Sequence, residues 1–391
     1  MNAASAKKKI VLLGMMTRMP VPGNVWLVVH YLLGFRRLGY DAYYVEAHGS
    51  TPRELMEHPE DDSSARAAAF IDRVLRRFDL GDCWAFHGLH DDGRCYGMTA
   101  LQLRELYGSA ELIINLHGAT VPSPEHVAGE RLVYLETDPV TWEIRLHNNN
   151  PKALALMEPH RAFFTWGLNY GQPDCRVPLP ERFRFRPSPP PVVLDFWKSE
   201  HDRPGEIFTT VGNWRQAGDV WFRGEIYHWS KHREFLKFIE LPRRTDQSFE
   251  LALANCDDDE QRLLQQNGWR VRPASSVSGD LDVYRQYIAG SRGEFTVAKD
   301  QNVRLRSGWF SERSAQYLAA GRPVITQETG FSNVLPTGRG LFAFSNLDEI
   351  VQAVDRINSD YPAHSRAARE IAHEYFAAER VLGNLLKHAG L

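Results

Sequence analysis

The sequence predicts an α/β fold built from two doubly wound domains, each a mostly parallel sheet with helices on both faces. Three observations predict it. The chain has 391 residues, more than one ordinary hydrophobic core serves. Apolar strand-like runs alternate with helix-like segments twice, up to residue 166 and again from residue 207. Between the two series, from Gly171 to Pro191, the composition turns to Pro, Arg and aromatics, including PSPPP, which suits a stiff linker.

The opening KKKIVLLGMMTRMPVPGNVWLVVHYLLGFRRLGYDAYYVE reads as a buried strand, a Pro/Gly loop, an apolar-periodic helix and a second strand near Ala42 to Glu46. The first apolar run, Ile10 to Met16, is too short for a signal peptide, and Arg18 follows it without a small-residue cleavage site. A helix over 64–78 and strands over 111–118, 131–139 and 162–166 complete the first series. The second series runs strand 207–214, helix 231–239, strand 249–255, helix 258–267, strand 269–274, helix 280–290, strand 294–299, helix 311–320 and strand 322–327. From Leu347 the chain reads as helical. The expected division is 1–185, 186–370, and a last helical segment, 371–391, packing back across the domains.

Hydrophobic residues make up 43% and charged residues 24%, a globular balance that excludes disorder on a large scale. A net charge of -3 without a long basic run argues against a nucleic-acid partner. Cys83, Cys95, Cys175 and Cys256 lack CxxC spacing, so neither a disulfide framework nor a zinc site is read from them. The acidic run from Asp257 to Glu260 reads as the start of a polar helix, and no histidine cluster has zinc spacing, so no metal or cofactor is expected. No apolar stretch reaches the length of a membrane span. A cytoplasmic protein is the expectation.

The most informative segment is RSGWFSERSAQYLAAGRPVITQETGF (306–331), a Ser-rich turn, a helix ending at Gly321, and a strand opened by Pro323. Free backbone N–H groups at that helix start would accept an anion, with the Ser311 and Ser314 hydroxyls beside them. Ser311 reads equally well as an ordinary N-cap. Lys299, closing EFTVAK, would reach the same crevice at the carboxyl end of its strand. Two groups in the first half, His117 closing ELIINLHG and Asp138 closing RLVYLETDP, are types that take a proton from a hydroxyl. Each also has a plain structural reading: His117 as a turn histidine, and Asp138-Pro139 as an N-cap and first helical residue. Gly23, in the PVPGN loop, would permit a close backbone approach or simply make a turn. The aromatic-rich WAFHGLH (84–90) and WFRGEIYHW (221–229) suit a sugar or an apolar aglycone as well as a core.

The strings GNW (212–214), YHWSK (227–231), EFTVAK (294–299), SGWFSERS (307–314), YLAAGRPVI (317–325) and TGF (329–331) make the second half resemble GT-B glycosyltransferases, and more closely those related to spore maturation protein CgeB. The resemblance implies two Rossmann-like domains facing across a cleft. It implies a nucleoside diphosphate-sugar held by the C-terminal domain, and an unidentified acceptor held by the N-terminal one. On it, Gly212, Asn213, Lys231, Arg272, Lys299, Phe310, Ser311, Ser314 and Gln316 are the nucleotide and phosphate residues, and Gly23, Thr329 and Gly330 line the sugar or the cleft loops. Asn213 stands where many GT-B enzymes have an arginine, and Lys231 falls where their lysine would be. The two glutamates of the usual retaining pattern fall at Gly308 and Gln316, which leaves stereochemistry open. A nucleotide-sugar 2-epimerase of the same architecture and a catalytically silent nucleotide-sugar-binding module are the alternatives. A dehydrogenase is disfavoured because GMMTRMPVPG replaces GxGxxG after the first strand.

Overall fold

The computed structural model describes residues 7–91, 93–198 and 205–391. Eight strands form the N-terminal sheet: β1 (Lys9–Leu13), β2 (Asp41–Glu46), β3 (Trp84–His87), β4 (Cys95–Tyr96), β5 (Ala110–Leu116), β6 (Leu132–Glu136), β7 (Ala162–Thr165) and β8 (Phe185–Pro187). Their order is β4-β3-β2-β1-β5-β6-β7-β8, parallel except at the β3/β4 edge. The middle strands are apolar throughout because both sheet faces are covered: Val11 and Leu13 point into one buried cluster, Ile10 and Leu12 into the other.

The C-terminal sheet comprises β9 (Ile207–Asn213), β12 (Ser248–Ala254), β13 (Arg270–Pro273), β14 (Gly293–Thr296), β15 (Val324–Gln327) and β16 (Leu341–Phe344), ordered β13-β12-β9-β14-β15-β16. Between β9 and β12 a hairpin, β10 (Val220–Phe222) and β11 (Glu225–Tyr227), projects from the sheet. Its inner face, Val220, Phe222 and Tyr227, packs on Val140 and Ile144 of the other domain. Both sheets reverse direction beside their first strand, between β1 and β5 and between β9 and β14. That reversal opens a crevice at the carboxyl ends of the strands, and here the two crevices face each other.

Helix Pro22–Arg37 is the seam between the halves. Trp26 donates from Nε1 to the Leu281 carbonyl, at 3.4 Å. Helix Ala378–His388 lies across the same helix at Gly34, where a Cβ would stand 2.5 Å from Leu382 Cδ1. The Val192 N–H donates to the Phe376 carbonyl and the Ala378 N–H donates to the Val192 carbonyl, tying the end of the chain to the segment between the sheets. No helix among the described residues is long and apolar enough to cross a membrane.

Local expectations change in four places. The stretch expected to be a plain linker contains β8, which pairs with β7, so its aromatic residues complete a sheet. The strand expected over 294–299 ends at Thr296, and Lys299 instead caps helix Asp300–Leu305. The helix expected over 231–239 is only His232–Leu236, with Lys231 at its N-cap. Gly23 lies in the first turn of helix Pro22–Arg37 rather than in a loop. A Cβ there would meet only ordinary contacts at 3.6 and 3.9 Å, so nothing in the packing demands glycine.

Candidate functional site

The facing crevices enclose a cavity of about 510 Å3, walled by the segments after β1, β5 and β6 on one side and after β9 and β14 on the other. Of the predicted residues, Gly23, His117, Asp138, Gly212, Asn213 and Lys299 line it. Topology brings them together: all lie at or beyond the carboxyl end of a parallel strand.

Two cations, Arg313 and Lys299, line the C-terminal wall, and a third, Lys231, lies close to both without lining the cavity. Arg313, nearly inaccessible, donates to Glu294 Oε1 at 2.6 Å, to the Val211 carbonyl at 2.7 Å and to Thr296 Oγ1 at 3.0 Å. These bonds fix its guanidinium beside Gly212, where even a Cβ would remain 3.7 Å away. Lys231 sets its ammonium 5.0 Å from the centre of the Trp309 ring. Burial, then the charges of Arg313 and Lys299, push that ammonium down to about 7. Lys299 lies 3.3 Å from the centre of the Trp229 ring and donates to Asp138 at 2.6 Å, spanning the cleft. Burial lowers its pKa and Asp138 opposes the shift. Such a cluster of close like charges favours an anionic ligand between them.

The helix start near Ser311 differs from expectation. Ser311 caps helix Glu312–Ala319 by accepting from the Arg313 backbone at 3.2 Å, and the next residue, Glu312, turns its own carboxylate to the cavity. Burial raises the Glu312 pKa against the influence of Arg313. A carboxylate at this helix terminus is itself stabilised there. Arg313 and Lys299 line the same cavity as this carboxylate.

On the N-terminal wall His117 adopts φ +60 and sets Nδ1 2.5 Å from Thr137 Oγ1. Burial pulls its imidazole down to about 4, with Asp138 opposing, so the ring is neutral at pH 7. Asp138 does not cap a helix: helix Thr141–His147 begins later, after Val140 at φ +96. That backbone is an outlier for a β-branched residue. It is stabilised by burial of the Val140 side chain and by the Val140 N–H donating to Glu143 Oε2 at 2.8 Å. Glu136 and Glu143 are both buried and hydrogen-bond one another. Burial, followed by the Glu143 charge, raises the Glu136 carboxyl well above its usual range. Through the Val140 N–H, Glu143 braces the turn that follows Thr137 and Asp138.

The remaining predicted residues lie away from the cavity. Phe310 stacks on Phe376 at 5.2 Å inside the core. Ser314 is buried with its hydroxyl unpartnered. Gln316 is also buried and accepts from the Tyr284 hydroxyl at 3.1 Å, so it touches the cavity only through Tyr284. Thr329 donates to the Trp309 carbonyl at 2.8 Å, and Gly330, at φ +97, lets Asn169 approach. Both support the turn carrying Trp309 instead of lining the cleft. Arg272 lies on edge strand β13 and pairs with Glu250 at 3.4 Å, while Ala274, just beyond that strand, lines the cavity.

Sequence reasoning passed over Arg313, Glu312, Trp309 and Glu46. The first three sit inside SGWFSERS, and a signal was available: an arginine on a helix that is otherwise buried must be paired. Glu46 gave none, because an acidic residue closing a strand is ordinary. It accepts from the Thr17 backbone at 2.9 Å, and also bonds the Thr17 and Tyr44 hydroxyls and His48, all buried. Among the described residues no group of three or more His, Cys, Asp or Glu is placed to hold a metal ion.

The architecture is that of the GT-B glycosyltransferases. An α-glucosyltransferase solved with UDP superimposes over 98% of this chain and 100% of its own, with TM-score 0.61 and 9% identity. HepE from Anabaena, solved with UDP and glucose, matches 98% of this chain and 99% of its own at TM-score 0.57 and 12% identity. AviGT4, a glycosyltransferase of avilamycin A biosynthesis, matches 98% and 97% at TM-score 0.54 and 13% identity. At such identities the likeness is one of fold. No protein-family model and no curated protein matches the sequence.

Proposed function

We propose that this chain transfers a sugar from a nucleoside diphosphate-sugar to an acceptor hydroxyl. The observation that supports it best is that Lys299 and Arg313 face His117 and Asp138 across one cavity, with Lys231 behind them over the Trp309 ring. Lys231 and Lys299 would meet the diphosphate, whose developing charge they stabilise as it leaves. The nucleoside would lie toward Ala274 and Tyr284. His117 acts as base when Nδ1–H is donated to Thr137, which leaves the Nε2 lone pair to take the acceptor proton as the acceptor oxygen attacks the sugar. Asp138, bound to Lys299, couples the acceptor turn to the phosphate side.

The reading includes metal-independent transfer, a cytoplasmic location and kinship with the CgeB-related glycosyltransferases. The α-glucosyltransferase and HepE structures hold UDP, which makes UDP the first nucleotide to try. Melting curves with UDP, GDP, dTDP, ADP and CDP, each with and without EDTA, test donor binding, because a ligand of the folded state raises the melting temperature. At least one diphosphate should stabilise the protein, with EDTA making no difference. No stabilisation by any of them would overturn the proposal, and an isomerised sugar formed without acceptor would replace it with an epimerase.

A further inference from the structure

We infer that the acceptor is an apolar alcohol or phenol, not a carbohydrate chain; this rests on the glycosyltransferase reading for the identity of the opposite wall. The acceptor side of the cavity is made by the segment after β1, which contributes Met15, Met19, Val21 and Leu27, with Trp142 opposite. None of these five side chains is charged. The one amide of the segment, Asn24, is already engaged, donating to the Met19 carbonyl at 3.0 Å. Thr141 and Arg145 line the cavity beside Trp142, but the four side chains of the first segment offer no hydrogen bonds, so a sugar ring seated on them would bury hydroxyls there at a cost. Met19 and Val21 are each 49% exposed at the cavity mouth, so the apolar wall continues to the surface.

This exposure is built into the fold. Thr17, between the two methionines, is clamped by its backbone and its hydroxyl to the buried Glu46 carboxylate. The Met16 N–H donates to the Tyr44 hydroxyl at 2.8 Å, and Tyr44 in turn bonds Glu46. A Cβ on Gly14 would lie 2.6 Å from the Tyr44 ring, so the turn rests directly on that ring. A buried carboxylate thus holds a turn whose outward product is two unbranched thioether side chains aimed at the cleft. Such side chains conform to varied apolar shapes. Polar groups able to meet an acceptor hydroxyl, His117 and Asp138, line the same cavity. The arrangement fits a molecule with an apolar body and one hydroxyl directed inward.

Isothermal titration on the full chain, with and without saturating UDP, decides the matter. The probes are 4-methylumbelliferone for an aromatic source, 1-octanol for an alkyl source, and maltose for a carbohydrate. At least one of the first two should bind and maltose should not. Met15→Gln/Met19→Gln, and separately Val21→Asn, should weaken the bound apolar probe by about tenfold, with UDP affinity and melting temperature unchanged. Binding of maltose in preference to both apolar probes, absence of apolar binding, or apolar affinity indifferent to the substitutions would overturn the inference. Failure of the wild type to bind UDP would count against the donor reading alone, since the titrations without UDP still decide this one.

Discussion

Replacing Lys231 with methionine removes a charge but keeps an unbranched side chain over Trp309. In the free protein burial, Arg313 and Lys299 hold this ammonium near a pKa of about 7. A diphosphate beside it draws the pKa upward, so binding above neutrality takes up a proton. At pH 8 only about one Lys231 in ten is charged in the free protein, so wild-type affinity for UDP should fall by up to about tenfold per pH unit from pH 7.5 upward. The nucleotide's own phosphate, with a pKa of about 6, is already ionised there. Near neutrality the lost charge-assisted hydrogen bond is worth about 1.5 to 3 kcal/mol, or about 10- to 150-fold in affinity. The free variant should melt higher than wild type, because the folded state holds this lysine below its unfolded pKa of about 10.4. In wild type the unfolded chain binds the extra proton between those values, and this contribution to stability rises with pH across the window. Titration calorimetry at several pH values, in buffers of different ionisation enthalpy, measures the proton uptake directly. Equal pH slopes for the two proteins, with no uptake in wild type, would refute the placement of Lys231 at the phosphates.

His117→Ala and Asp138→Asn should each lower turnover far more than donor affinity, as single-turnover rates and UDP titrations will show. Because burial holds the His117 pKa near about 4, wild-type activity should stay level on acidification and fall only as the pH approaches that value. Arg313→Met strands the buried Glu294 carboxylate and should destabilise the fold by about 3 to 5 kcal/mol in urea melts, while the double change with Glu294→Gln should recover part of that loss. Gly34→Val drives a side chain into Leu382 and Ala378 and should cost about 1 to 3 kcal/mol. An unchanged urea midpoint would show that the last helix yields freely.

Much of the fold was legible because it rests on local regularities. Apolar runs such as IVLL and LIINL can only be buried strands, and their alternation with helices enforces a parallel sheet. Expected strand ends placed His117, Asp138, Asn213 and Lys299 on one cavity before any contact was known, although the strand before Lys299 stops at Thr296. The helix start at Ser311 was placed correctly as a cap, and Glu312 beside it lines the cavity. A cap pattern reports on backbone geometry, but which charge comes to lie in front of it depends on where the neighbouring carboxylate, Glu312, is turned.

What the sequence by itself determined was the class of each element and the end of each strand on which function would collect. Tertiary structure alone decided the pairings across chain distance: Lys299 with Asp138, Arg313 with Glu294, Glu136 with Glu143, and Glu46 with Thr17. Three of these four pairs are buried. A buried charge or polar group must find its partner wherever the packing puts one, and that partner bears no fixed sequence spacing. Phe310, Thr329 and Gly330 show the converse: they belong to strings that looked functional, yet packing assigned them to the core and to the turn behind Trp309. Periodicity sets which side of a strand or helix is inside, whereas only the closing of two domains on one another decides which inside positions face a cleft.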